Sequence, residues 1–197
     1  MRLFACLCCF LALMGIAPPS KAAPKVTSQT TTFPISGASG EALLRELERK
    51  GPKHGFTSRA IAQTRYTMNT EAEWSHAGGI CAVTRPKVRL DITYIYPEVK
   101  GEVSGPLRSR WQRFMAGIRK HEEQHGRLAR EMAAEADSAI AGLKIQDGKA
   151  CGKLRAEMKR VVAAIVARYE ARQRRFDVVE HSNGGNIEGL VKRLVTR

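Results

Sequence analysis

The chain has 197 residues, 43% of them hydrophobic, which suits one domain with enough apolar material for a core. With 26% charged residues it is not a membrane bundle. Its formal net charge of +14 draws it toward polyanions, yet no compact Lys/Arg run marks a dedicated nucleic-acid tract.

Residues 1–22 read as a secretory signal peptide. Arg2 supplies the positive start, and Leu3 to Ile16 form an apolar run too short to span a bilayer. Pro18 and Pro19 then break the helix, and Ser20-Lys21-Ala22 places small residues where a signal peptidase reads them, so cleavage is expected after Ala22. The expected location is therefore the periplasm or the cell exterior. The mature chain, residues 23–197, keeps 31 basic and 19 acidic residues, a net charge of +12. Of five cysteines, Cys6, Cys8 and Cys9 leave with the leader. Cys81 and Cys151 remain as a lone pair in an oxidising compartment and are expected to form a disulfide, with two buried thiols or a pair of metal ligands as alternatives. Closing a loop of about 70 residues would contribute roughly 4 kcal/mol on the chain-entropy account.

Along the mature chain, residues 23–30 read as a loose start and Thr30 to Ile35 as a strand rich in β-branched residues. Glu41 to Lys50 follows as a short amphipathic helix with Leu43, Leu44 and Leu47 on one side, stopped at Gly51-Pro52. Residues 58–70 have sheet character around Ile61 and Tyr66, and Cys81 to Thr84 is a short apolar strand. Val88, Leu90, Ile92 and Tyr94 alternate with Arg89, Asp91 and Thr93, the mark of a half-buried strand. Gly78-Gly79 and Arg85-Pro86 read as turns between these pieces.

From Ser104 the period changes. Leu107, Trp111, Phe114, Ile118, Leu128, Met132, Ala136, Ala139 and Leu143 recur in helical steps, with His121 and His125 filling the gap in the stripe. Gly142, Asp147 and Gly148 end this helix. A second helix is expected from about Cys151 to Phe176, with Leu154, Met158, Val161, Val162, Ile165, Tyr169 and Phe176 on its buried side. The short connection makes the two helices antiparallel neighbours. The tail after Asp177 holds Asn183-Gly184-Gly185 and a brief terminal helix. The expected fold is α+β: a small antiparallel sheet plus a short helix, followed by two long antiparallel helices.

The stretch His121-Glu122-Glu123-Gln124-His125 is an HExxH pattern. Residues four apart on a helix stand one above the other, so the two imidazoles can bind one zinc ion from adjacent turns. Zinc lowers the pKa of a bound water to about 7, and Glu122 is placed to take its proton as general base. Both histidines lie on the apolar stripe rather than the solvated face, where two unmetallated imidazoles would each need a buried partner. A third protein ligand would leave one position open. The metzincin continuation is absent, since its Gly and His positions hold Leu128 and Glu131. His181, beyond the end of the second helix, is the first choice, with Glu170 as the alternative. Tyr169 falls near the level of His125 and is a candidate oxyanion donor, with plain core packing as the alternative reading. Asp177 would orient a ligating imidazole or end the helix.

The order of parts resembles a bacterial family described as predicted secreted zinc-dependent proteases. It shows in Gly51-Pro52, Trp74 and Cys81, in Trp111 and Phe114 leading into His121 to Gly126, in Cys151 opening the second helix, and in Phe176-Asp177 preceding His181. The resemblance covers roughly residues 27 to 190 and implies a single zincin-like metalloprotease domain with Zn2+ as cofactor. The expected function is zinc-assisted hydrolysis of a peptide or other amide bond. The expected partners are a peptide or protein substrate, with weak attraction to anionic envelope components, no specific nucleic acid and no transmembrane segment in the mature chain. The alternative is a non-catalytic basic module that binds the envelope or another polyanion and keeps a structural or vestigial zinc site.

Overall fold

The computed structural model describes residues 23–54 and 58–196; the side chains of His54 and Ser58, and the expected leader, lie outside the described residues. Among the described residues the elements run β1 (Lys25–Ile35), α1 (Gly40–Lys50), β2 (Lys53–His54), β3 (Ser58–Arg59), β4 (Gln63–Ala77), β5 (Ile80–Val99), α2 (Gly105–Ala141), β6 (Lys144–Gln146), α3 (Gly152–His181) and α4 (Asn186–Val195). The class is α+β, as the periodicity predicts. Among the described residues no helix is long and apolar enough to cross a membrane.

The main sheet runs β1-β5-β4, with β6 pairing the start of β5. β4 and β5 form one long antiparallel hairpin turned at Gly78 and Gly79, whose φ values of +58° and +76° suit glycine. The sheet is mixed rather than purely antiparallel, because β1 lies parallel to β5 from Lys25↔Arg89 to Ile35↔Val99. Residues expected as a loose start therefore belong to a strand. The expected turn at Arg85-Pro86 also dissolves, since both residues sit inside β5 beside the register shift at Glu73/Trp74. A proline without an N–H is tolerated there because β1 pairs with β5 only from Arg89 onward, leaving one side of Pro86 without a strand.

α2 organises the rest. Ser104 caps it, its hydroxyl accepting from the Leu107 amide at 3.4 Å, and 37 residues give a rod of about 55 Å. Small residues face the sheet: Ala129 and Ala133 pack on Val88, Leu90 and Ile92. At Gly126 the helix lies against the Tyr94 side chain. A Cβ there would stand 2.0 Å from the Tyr94 hydroxyl oxygen, so a larger residue would have to displace that ring. The first half of α2, through Phe114, Met115 and Ile118, buries against Leu43 and Leu47 of α1 and Ile187, Leu190 and Leu194 of α4. Each such side chain withdrawn from water is worth about 1.5–3 kcal/mol.

α3 lies antiparallel across the second half of α2, as the pairs Glu131–Arg172 and Glu135–Arg168 show. Its apolar contact is thin: of 30 residues only Leu154, Ile165, Tyr169 and Gln173 are buried. Two other devices anchor its start. Cys81 and Cys151 are joined by a disulfide, Cα to Cα 5.7 Å, buried with Leu154. Asp147 then caps the first turn, its carboxylate accepting from Gly148 at 2.8 Å, Lys153 at 2.7 Å and Leu154 at 3.2 Å. The helix also runs on past Phe176 to His181, five residues beyond the predicted end.

Candidate functional site

α2 presents His121 and Glu122, both buried, and His125 one turn further on. The Nε2 atoms of His121 and His125 face each other at 3.2 Å. Across from them α3 presents Gln173, Asp177, Glu180 and His181, which the spacing of four, three and one residues puts on one side of a helix. Asp177 Oδ1 stands 2.8 Å from His125 Nε2 and 3.4 Å from His121 Nε2. His181 joins the same group: a ligand atom each from His121, Asp177 and His181 lie within 4.8 Å of one another. Phe176 stacks on the His121 ring with centroids 4.8 Å apart.

Gln173 settles which nitrogen of His125 is available. Its side-chain Oε1 accepts from His125 Nδ1, and its Nε2 donates to the His125 carbonyl at 3.1 Å. With the proton on Nδ1, the Nε2 lone pair points at His121 and Asp177. Burial disfavours the imidazolium of His125, but Asp177 and Gln173 outweigh it and raise its pKa. Burial likewise opposes the charge on Asp177, and the two imidazoles overcome it, holding the carboxyl well below the usual range. His181 is shifted the other way, its pKa lowered by burial and by His121.

The donor set fits a divalent cation. A single proton on His125 Nε2 would be shared between Asp177 Oδ1 at 2.8 Å and His121 Nε2 at 3.2 Å. One cation among the three atoms satisfies them all. A tetrahedral zinc at about 2.0–2.1 Å from two imidazole nitrogens sets those nitrogens about 3.3–3.4 Å apart, close to the observed spacing. His121 Nδ1 is buried without a hydrogen bond, and Glu180 Oε2 lies 3.6 Å from it, where a ligating imidazole usually finds a carboxylate.

Glu122 opens onto the same cleft, which encloses about 620 Å³ between α2, α3 and the strand β4. The Thr64 hydroxyl, 2.7 Å from Glu122 Oε2, donates to it. Burial raises the Glu122 pKa, and the Thr64 bond and the two imidazoles offset this only in part. A carboxylate of raised basicity is what proton abstraction needs.

Not every expected site residue is brought here. Tyr169 packs with Met132, Ala136 and Ile165 under the Arg172 guanidinium, away from the cleft, so its position is that of a core residue. Glu170 is exposed and pairs with Arg174 at 3.9 Å. The tyrosine that does line the cleft is Tyr66 of β4, with Gln173 beside it. Thr64, Tyr66, Gln173 and Glu180 escape a reading by motif. These four, two on β4 and two on α3, gain their meaning only across the fold, although Gln173, Asp177 and Glu180 share a helical spacing that a longer α3 would have exposed.

By fold and site this is an α+β protein whose longest helix carries an HExxH pattern into a cleft. The chain belongs to the family described as bacterial protein of unknown function (DUF922), which matches residues 30–185, from the middle of β1 to just past the end of α3. Among curated proteins and solved structures, none matches the chain.

Proposed function

We propose that the chain is an exported zinc-dependent hydrolase, a peptidase in reaction class. The observation that carries this reading is the convergence of His121 Nε2, His125 Nε2 and Asp177 Oδ1 within 3.4 Å of one another beside the buried Glu122. His121, His125 and Asp177 would hold the ion, with a ligand atom of His181 within 4.8 Å of those of His121 and Asp177. A zinc ion bound there would lower the pKa of a coordinated water to about 7 and polarise a substrate carbonyl.

The chain's own residues supply the rest. Thr64 occupies Glu122 Oε2, which directs Oε1 to the water whose proton it takes. Glu122 then returns that proton to the leaving amine nitrogen as the amide bond breaks. Tyr66, which lines the cleft where Tyr169 does not, would donate its hydroxyl to the oxygen of the attacked carbonyl. The buried Cys81–Cys151 disulfide supports a working place in an oxidising compartment outside the cytoplasm.

The second reading follows from His181. If it closes the site as a fourth protein ligand, the metal is structural and the chain is a basic binding module. The test is zinc content of the purified chain beside His121→Ala and Glu122→Gln. About one zinc per chain, lost in the first variant and kept in the second while hydrolysis disappears, supports the enzyme. Absence of zinc after loading would sink it.

A further inference from the structure

We infer that the site takes peptides with an aliphatic side chain next to the bond that is cut, seated against Ile61, Ile118, Val178 and Ile187. This rests on the hydrolase reading and names its substrate class.

The four residues come from four parts of the fold and meet in the cleft that holds Glu122. Ile118 precedes His121 by one turn on the same face of α2. Val178 follows Asp177 on α3, Ile61 leads into β4, and Ile187 lies in the first turn of α4. Ile118 and Ile187 are buried and form the floor, and Ile61 is half-buried. Val178 is different: 69% of it is exposed at the rim. An exposed branched side chain above an apolar floor is surface that gains by being covered.

The floor itself disfavours the other choices. Ile118 and Ile187 carry no polar side-chain atom, so a substrate carboxylate or ammonium seated on them would lose its hydration without a partner there. The cleft volume is in the range that buries a small ligand or a few residues of a peptide.

The test uses the zinc-loaded chain and three N-acetyl amino-acid hydroxamates, whose metal-binding end is constant and whose side chains are those of leucine, aspartate and lysine. Calorimetry should show the leucine compound binding about tenfold or more tighter than the other two, a gap of the size apolar pockets give. Val178→Asn, at an exposed position, should narrow that gap and leave the zinc stoichiometry unchanged. Equal affinity for all three, or a gap untouched in both Val178→Asn and Ile61→Asn, overturns the substrate class and leaves the zinc reading standing. A zinc-loaded chain that binds none of them overturns the substrate class and the hydrolase reading, and a chain that takes up no zinc overturns the zinc site as well.

Discussion

Gln173 holds His125 by both ends of its amide, accepting from Nδ1 of the ring and donating to the carbonyl of the same residue at 3.1 Å. One side chain on α3 therefore sets both the tautomer of an α2 histidine and the seating of α3 over it. Removing the amide in Gln173→Leu is expected to weaken zinc binding about 10–100-fold, the usual cost of losing such a supporting bond. Chelator competition measures it. An unchanged affinity would show that the tautomer is set elsewhere.

Asp177 and His181 can be separated by the same measurement. Asp177 Oδ1 lies 2.8 and 3.4 Å from the two Nε2 atoms, whereas His181 has a ligand atom within 4.8 Å of those of His121 and Asp177. Asp177→Ala is expected to lose more than the about 10–100-fold of a supporting group. His181→Ala should keep the ion. The reverse order would make His181 the third ligand and Asp177 its neighbour.

Asp147 predicts an acid limb of stability. Burial would raise its carboxyl pKa, but the amides of Leu154, Gly148 and Lys153 outweigh that and lower it. A group whose folded pKa is depressed stabilises the fold above its unfolded pKa of about 3.9 and loses that contribution as pH falls through the folded value. Thermal melts of wild type and Asp147→Asn should differ at about pH 6, with the variant lower, and converge as the pH drops below about 4. A gap that persists at low pH would mean that shape, not charge, makes the cap.

Gly126 and Tyr94 are expected to couple. A Cβ at position 126 meets the Tyr94 hydroxyl at 2.0 Å and its ring carbon at 2.9 Å. Gly126→Ala should therefore cost about 1–3 kcal/mol, the range for overpacking. In a Tyr94→Phe background the cost should shrink, because the nearest atom is gone. Additive denaturant midpoints in the double variant would show that α2 shifts instead of Tyr94.

Much of the fold is legible along the chain. The α1 stripe at Leu43 and Leu47, the alternation from Val88 to Tyr94 and the α2 stripe are local periods, and each element stands where its period places it. The misreadings have one cause. Pro86 looks like a turn until one knows that a strand flanks it on one side only, and residues 25–29 look loose until β5 is there to pair with. Val178 and Val179, exposed β-branched residues before Asn183-Gly184-Gly185, suggest an earlier end to α3 than His181.

By itself the sequence determined that His121, Glu122 and His125 share one helix, because a spacing of four is a property of a single helix. It also left Cys81 and Cys151 as the only cysteine pair once the leader is set aside. Only the tertiary structure decided what faces the imidazoles. The register of α3 against α2 is set at a distance, by the disulfide, the Asp147 cap and the packing of Ile165 and Tyr169 on Met132 and Ala136. That register brings Gln173 and Asp177 over the site and turns Tyr169 away, and no period within either helix encodes it.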